Sequence, residues 1–395
     1  MIRLFAATSI LALVACNGAD DVTAQENTVP APAPDAAQEA GTGEMPFTSE
    51  ALGQFDEPWA MTFLPDGRLL VTEQAGEMKT VTLSDGAEPQ VADVSGIPEV
   101  DYGGQGGLGD VVAHPDFADN RMLYISFAEA GQNDTRGAAV ARGTLNCADA
   151  GPCALEGAEV IWRQSEKVEG RGHFGHRIAF GPDGMLYISS GERQKFDPAQ
   201  DMSNDLGSIV RLNADGSVPS DNPFADRGGA TANIWSYGHR NPLGIAFAPD
   251  GTLWEHEMGP KGGDELNIIV KGDNYGYPEV SNGIHYDGRN IPDHSAGDGF
   301  NAPEVSWTPV ISPAGFVIYT GDKFPAWQGT GLIGGLSSQA IIQVSLDGEN
   351  AREVGRYDMG ERIREIEQGP DGYVYVLEDM DDGSGGRLLR LTPRG

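Results

Sequence analysis

Seven histidines stand in the chain, at 114, 173, 176, 239, 256, 285 and 294. None falls in a His-Glu-x-x-His pattern, so a zinc hydrolase has no support from spacing. His173 lies in Gly172-His173-Phe174-Gly175-His176-Arg177, just before a predicted strand. An imidazole there has the near-neutral pKa a general base needs. Spacing alone also allows an ordinary loop histidine, and His176 reads as loop filler. Arg362-Ile363-Arg364 places two guanidiniums on one face of a strand. They are either salt-bridged surface groups or an anion site. Arg240 and Asn241 lie in Trp235-Ser236-Tyr237-Gly238-His239-Arg240-Asn241-Pro242, which enters another strand. Gly259-Pro260-Lys261-Gly262-Gly263-Asp264-Glu265 offers carbonyls and carboxylates, the oxygen donors that Ca²⁺ takes. It reads equally as a polar turn. Gly104-Gln105-Gly106-Gly107-Leu108-Gly109 matches G-x-G-x-x-G, but a strand and turn follow it, not a helix. That excludes a dinucleotide site and leaves close backbone approach as the glycines' use. Asp379-Met380-Asp381-Asp382-Gly383 lacks the full EF-hand pattern and reads as a solvated hairpin tip.

The elements that must position these residues repeat. Phe63-Leu64-Pro65-Asp66-Gly67 precedes alternating apolar residues, and Pro182-Asp183-Gly184, Pro249-Asp250-Gly251 and Pro370-Asp371-Gly372 do the same. Proline presets φ, Asp bonds local backbone and Gly takes positive φ, so each copy predicts a β-hairpin. His114-Pro115-Asp116-Phe117 is a variant. The interval from Pro249 to Pro370 is about twice the others, so one unit has lost its signature. Gly315–Thr320 followed by Gly331–Leu336 is that degenerate copy. Six units over residues 47–395, about 58 residues each, suit radially repeated four-stranded sheets. The expected fold is all-β, a six-bladed β-propeller of four-stranded antiparallel blades. A β-sandwich is the competing all-β arrangement.

Composition narrows the partners. The 26 Lys+Arg and 59 Asp+Glu give a net charge of −33, which excludes a nucleic-acid binder or a protein held on anionic lipid by basic residues. Hydrophobic content of 39% is enough for a core. The 55 Gly and 25 Pro make about a fifth of the chain and favour turns over long helices. Residues 1–15 carry Arg3 and an apolar run, Leu4–Leu13, too short to span a bilayer and sized for a signal peptide. It ends in Leu13-Val14-Ala15-Cys16, which resembles the bacterial lipoprotein box, with Cys16 as the lipidation site. Residues 16–46, rich in Ala, Pro and acid, read as a disordered tether to a catalytic domain at 47–395. The expected location is periplasmic, with the membrane reached only through that lipid. Such a compartment permits a Cys147–Cys153 disulfide; two free thiols in a loop are the other reading.

Taken in order, these motifs resemble one family, the soluble PQQ-dependent aldose sugar dehydrogenases, related to soluble glucose dehydrogenase. The likeness runs over about residues 50–393 and includes Gly263-Asp264-Glu265-Leu266-Asn267 and Asn274-Tyr275-Gly276-Tyr277-Pro278. The resemblance implies a six-bladed propeller that binds pyrroloquinoline quinone (PQQ) and Ca²⁺ and oxidises an aldose at C1 to the lactone. Electrons then pass to an external acceptor. By the same resemblance, His173 is the general base and Glu192 orients it. Gln105, Arg240, Asn241, Arg362 and Arg364 are PQQ-binding positions, and Arg240 also polarises the reactive carbonyl. The carbonyls of Gly259 and Pro260 hold the Ca²⁺ that bridges to PQQ. Glu265 and the Tyr275 carbonyl hold a second, structural Ca²⁺. Two positions depart from the family pattern. Ser337 stands where soluble glucose dehydrogenases have lysine, removing a cationic contact to PQQ. His176 stands where relatives usually have a small residue, which implies a pocket beside His173 that is narrower or carries an extra polar group. A Ca²⁺-dependent lactonase-type propeller would not need the arginines, and a cofactor-free binding propeller would give them no joint role with His173.

Overall fold

The computed structural model describes residues 45–84, 86–148, 151–380 and 385–394; Cys16, the apolar leader and the tether up to residue 44 lie outside these. In chain order the strands are β1 (Phe47–Phe55), β2 (Pro58–Phe63), β3 (Leu69–Glu73), β4 (Glu77–Thr82), β5 (Gln90–Ser95), β6 (Leu108–Ala113), β7 (Met122–Ala130), β8 (Arg136–Cys147) and β9 (Cys153–Arg163). There follow β10 (Gly175–Phe180), β11 (Leu186–Ser190), β12 (Ser208–Leu212), β13 (Ile234–Tyr237), β14 (Pro242–Phe247), β15 (Leu253–Glu257), β16 (Asp264–Ile268) and β17 (Val305–Trp307). The last are β18 (Pro313–Ile318), β19 (Thr330–Gly335), β20 (Ala340–Ser345), β21 (Arg352–Asp358), β22 (Arg362–Gln368), β23 (Val374–Asp379) and β24 (Gly386–Pro393).

Strands β10–β13, β14–β17 and β18–β21 each form a four-stranded antiparallel meander. An eight-stranded sheet contains two more such groups, β2–β5 and β6–β9. They are joined where β5 meets β9 in parallel at Val94–Cys153 and Ser95–Ala154. The remaining sheet takes β22, β23 and β24 from the end of the chain and β1 from its start. The β1–β24 ladder runs from Phe47 opposite Pro393 to Phe55 opposite Gly386, so the first strand closes against the last. This repetition of four-stranded antiparallel sheets is the architecture of a β-propeller. Among the described residues, no helix is long and apolar enough to cross a membrane.

The Pro-Asp-Gly signatures join the first and second strands of their sheets. In each, the Asp side chain accepts from the backbone N–H two residues on: Asp66 from Arg68, Asp183 from Met185, Asp250 from Thr252 and Asp371 from Tyr373. The glycine that follows takes positive φ, from 76° at Gly184 to 90° at Gly251. The degenerate unit forms β18 and β19 without that turn. Neighbouring sheets bury their faces against each other. Leu69, Val71 and Val81 meet Tyr375, Leu377 and Leu388; Trp254 and Leu266 meet Ile333 and Ile342. Each such side chain contributes about 1.5–3 kcal/mol by leaving water. Sheets covered on both faces tolerate continuous burial along a strand, as in β3, β11 and β15. The Cys147–Cys153 pair is a disulfide across the β8–β9 hairpin, where the two residues are direct ladder partners.

This topology collects the sequence motifs. A first strand begins, and its antiparallel second strand ends, at the edge away from the Pro-Asp-Gly turns. Gln105 precedes β6, His173 precedes β10, and Arg240 and Asn241 precede β14. Arg362 begins β22, Glu192 follows β11 and Gly259 follows β15. All six segments therefore reach the same edge of their sheets.

Candidate active site

His173 is held from both sides. Its N–H donates to Gln105 Oε1 at 2.7 Å, and its carbonyl accepts from Arg193 N–H at 3.2 Å. The backbone has φ of 50°, the left-handed region that non-glycine residues rarely occupy. His173 Nδ1 lies 2.5 Å from Glu192 Oε1. The other Glu192 oxygen accepts from the N–H groups of Lys195 and Phe196, the latter at 2.6 Å. With Nδ1 committed to a carboxylate, Nε2 is the nitrogen left for proton transfer. Gly191 makes the contact possible: a Cβ there would sit 2.2 Å from the His173 carbonyl oxygen. Burial and the nearby Arg240 charge hold the His173 pKa below 6.5, although Glu192 opposes them. Burial raises the Glu192 carboxyl, but its bond to and attraction for His173, the Phe196 N–H and the Arg240 charge together outweigh that and leave it below the usual range. The pair is thus a neutral imidazole against a carboxylate at pH 7.

His173, Glu192 and Arg240 line one cavity of about 240 Å³, with Pro260, Tyr277 and Tyr286 among the other walls. Arg240 Nη1 donates to the carbonyls of Met258 at 2.8 Å and Gly259 at 2.6 Å. Its backbone N–H and that of Asn241 both donate to Glu257 Oε2. Asn241 Oδ1 accepts from Gly175 N–H at 3.2 Å, which ties this segment to the His173 loop. Arg240 Nε and Asn241 Nδ2 are buried donors without a partner. Two such donors beside the His173 cavity fit an acceptor-rich anion.

The segment Gly259–Pro260 sits between two spaces. Pro260 lines the His173 cavity, and Gly259 lines a small pocket of about 10 Å³ with Glu265 and Tyr275. That is room for one ion or water. Asp264 braces the turn by accepting from the N–H groups of Gly259, Ile311 and Ser312. Burial pushes its carboxyl up to about 6.

Other residues do not line this cavity. Arg362 and Arg364 both reach Asp379 Oδ2, Arg364 Nη2 at 2.5 Å. Asp379 is therefore an ion-pair partner at the end of β23; Asp381-Asp382-Gly383, the rest of the expected solvated tip, lie outside the described residues. The described wall around His173 does not include this pair. His176 is not among the walls of this cavity and is not loop filler. It lies in β10, stacks on Trp59 at 4.9 Å and bonds Ser126 Oγ at 3.0 Å. A Cβ at Gly109 would lie 2.1 Å from its ring, so the histidine fills interior space left by that glycine. Ser337 is exposed and donates to the Val310 carbonyl at 3.4 Å. Sequence reasoning missed Glu257, which positions Arg240. The available signal was Glu255-His256-Glu257, three polar residues in a strand with apolar neighbours.

The glucose/sorbosone dehydrogenase family model matches residues 55–390. The chain belongs to this family. This dehydrogenase-family chain is 41% identical over 348 residues to the aldose sugar dehydrogenase YliI of Escherichia coli K12, covering 86% of this chain and 91% of the relative. The crystal structure of the soluble aldose sugar dehydrogenase of E. coli in its apo form superposes with a TM-score of 0.81 at 40% identity, covering 88% of this chain and all of that one. The PQQ-bound aldose sugar dehydrogenase of Streptomyces coelicolor gives a TM-score of 0.69 at 27% identity, covering 88% of this chain and 98% of the other. The two solved structures share this chain's fold.

Proposed function

We propose that this protein is a six-bladed PQQ- and Ca²⁺-dependent dehydrogenase that oxidises aldoses at C1 to lactones. The observation that carries the reading is the pairing of His173 with Glu192 on a cavity wall shared with Arg240. Reading the eight-stranded sheet as two groups of four supports the six-blade reading.

His173 Nε2 takes the proton of the C1 hydroxyl, and Glu192 holds the ring's orientation and stabilises the imidazolium that forms. Arg240 places positive charge where negative charge develops, and burial strengthens that effect. When bound, PQQ would supply a two-electron acceptor for the C1 hydride, with the electrons going on to an external acceptor. Arg240 and Asn241 would hold it through their unpartnered donors, with Gln105, Arg362 and Arg364 around it. The carbonyls of Gly259 and Pro260 would hold the bridging Ca²⁺, which adds Lewis-acid charge. Glu265 and the Tyr275 carbonyl, at the small pocket, would hold the second Ca²⁺. Export and a lipid anchor at Cys16 complete the proposal, on the strength of Leu13-Val14-Ala15-Cys16.

Reconstitution of the apoprotein with PQQ and Ca²⁺, followed by dye reduction with a panel of aldoses, tests this. Turnover with at least one aldose is expected. No dye reduction with any sugar contradicts the proposal.

A further inference from the structure

Arg193 follows Glu192 directly in the chain and is 0% exposed. Burying a guanidinium is unfavourable unless its donors are met. Here all three of its nitrogens bond backbone carbonyls rather than a carboxylate. Nε donates to Gly172 at 2.8 Å, Nη1 to Arg136 at 2.6 Å and Nη2 to Gly170 at 2.5 Å. Cζ lies 3.8 Å from the centre of the Phe174 ring, a cation–π contact. Burial pushes the group down to about 10, which leaves it charged at neutral pH.

These contacts converge on the segment that carries His173. Gly170 and Gly172 precede the histidine and Phe174 follows it. The Arg193 backbone N–H adds a bond to the His173 carbonyl, at 3.2 Å. The segment runs between the isolated Arg136–Val168 bridge and the start of β10 at Gly175, so no strand ladder holds it. Its backbone is irregular, with φ of 97° at Gly170 and 50° at His173. Among the described residues, the Gly170 and Gly172 carbonyls accept from no backbone N–H. Gly172 is buried, and a buried backbone acceptor needs a partner. The guanidinium supplies it. A planar fork serves three carbonyls at once, which an ammonium on a flexible stem does not reproduce.

We propose that Arg193 is a positioning residue for the base: it fixes the backbone that aims the His173 ring, while Glu192 fixes the ring itself. The inference rests on the reading of His173 as the base. Two adjacent residues thus hold one histidine, Glu192 at Nδ1 and Arg193 along the chain on both sides of it. Without the fork the segment relaxes, and a shift of about 1 Å in a reacting group is enough to cost on the order of 10²-fold in rate.

Arg193→Lys and Arg193→Met test this. Lys keeps the charge, Met keeps the apolar stem, and neither has the fork. At matched PQQ content, kcat should fall at least about tenfold in both, with KM for the aldose within about threefold of wild type. A residue that acts only on stability would lower the melting temperature and leave kcat per PQQ-loaded molecule unchanged. A second readout needs neither PQQ nor turnover. In ¹⁵N-histidine-labelled apoprotein, the His173 signals are those missing from His173→Ala. Wild type should show one neutral tautomer, with the proton on Nδ1, and both variants should show a mixture of tautomers. Wild-type kcat in the folded variants overturns the proposal, as does a His173 spectrum identical to wild type. If Arg193→Met does not fold, Arg193→Lys carries both readouts. If wild type oxidises no aldose, the dehydrogenase reading fails, and the apoprotein spectrum alone decides whether Arg193 positions His173.

Discussion

His173 Nδ1 and Glu192 Oε1 lie 2.5 Å apart, with 8% of the histidine side chain and none of the carboxylate exposed to solvent. Two backbone N–H groups fix the carboxylate from behind, at Lys195 and Phe196. The arrangement holds one tautomer of the ring. Glu192→Gln should keep the fold but lower kcat by about 10²-fold or more, because orientation and charge support for the imidazolium are both lost. Steady-state kinetics on the reconstituted enzyme check this; kcat within twofold of wild type would remove Glu192 from the account.

The acid limb of the pH profile carries a sign. Burial, then the Arg240 charge, lower the His173 pKa, so the neutral base persists below about 6.5. kcat/KM should stay level as pH falls to about 6.5 and drop only at lower pH, as the ring protonates. Glu192 raises that pKa, so Glu192→Gln should move the break to still lower pH. The same shift costs stability in acid. The unfolded histidine binds its proton first, so this contribution is lost as pH falls below about 6.5. A break above pH 6.5 would contradict the assignment of His173 as base.

Much of this was legible in the sequence, for physical reasons that differ by residue. The Pro-Asp-Gly turns declared themselves because the turn needs those residue types, and Gly67, Gly184, Gly251 and Gly372 all take positive φ. The unit at Gly315 lacks the turn, so only apolar runs marked it. His173 and Glu192 are 19 residues apart, and nothing local links them; their contact comes from β10 pairing with β11. The resemblance, not the spacing, brought them together. His176 misled because its ring fills an interior gap above Gly109, an arrangement set by β6 and β10 from separate sheets. Asp379 was hidden because hairpin tips and strand ends share the same polar composition.

The charge balance makes a prediction about metal removal. The chain carries −33, and Ser337 offers no cation where soluble glucose dehydrogenases have lysine. PQQ retention should therefore lean on Ca²⁺. Chelation should release PQQ, read by its absorbance after desalting, and Ser337→Lys should slow that release. Ser337 is exposed with one long bond to Val310, so the substitution has room. Stripped protein that keeps its PQQ would contradict this view of the site.

The closing strand sets a stability test. Phe47 is 2% exposed and packs edge-on against Trp327 at 5.6 Å and Tyr357 at 5.7 Å. Phe47→Ala should cost about 3–5 kcal/mol by urea denaturation. A cost below about 1 kcal/mol would mean that β1 adds little to ring closure.

The disulfide should matter less. Its loop is short, with a sequence separation of 6, so removing it should cost on the order of 2 kcal/mol. The double Cys→Ser variant at 147 and 153 should lose that much stability and keep its turnover, since neither residue lines the His173 cavity. Loss of turnover in the folded variant would link this hairpin to the site.

The most direct test of the central claim is a single-turnover comparison of PQQ-loaded wild type and His173→Ala, each mixed with an aldose carrying hydrogen or deuterium at C1. The account predicts equal PQQ binding, a deuterium-sensitive cofactor reduction in wild type, and a rate at least about 10²-fold slower in the variant. Cofactor reduction at the wild-type rate in His173→Ala would contradict it.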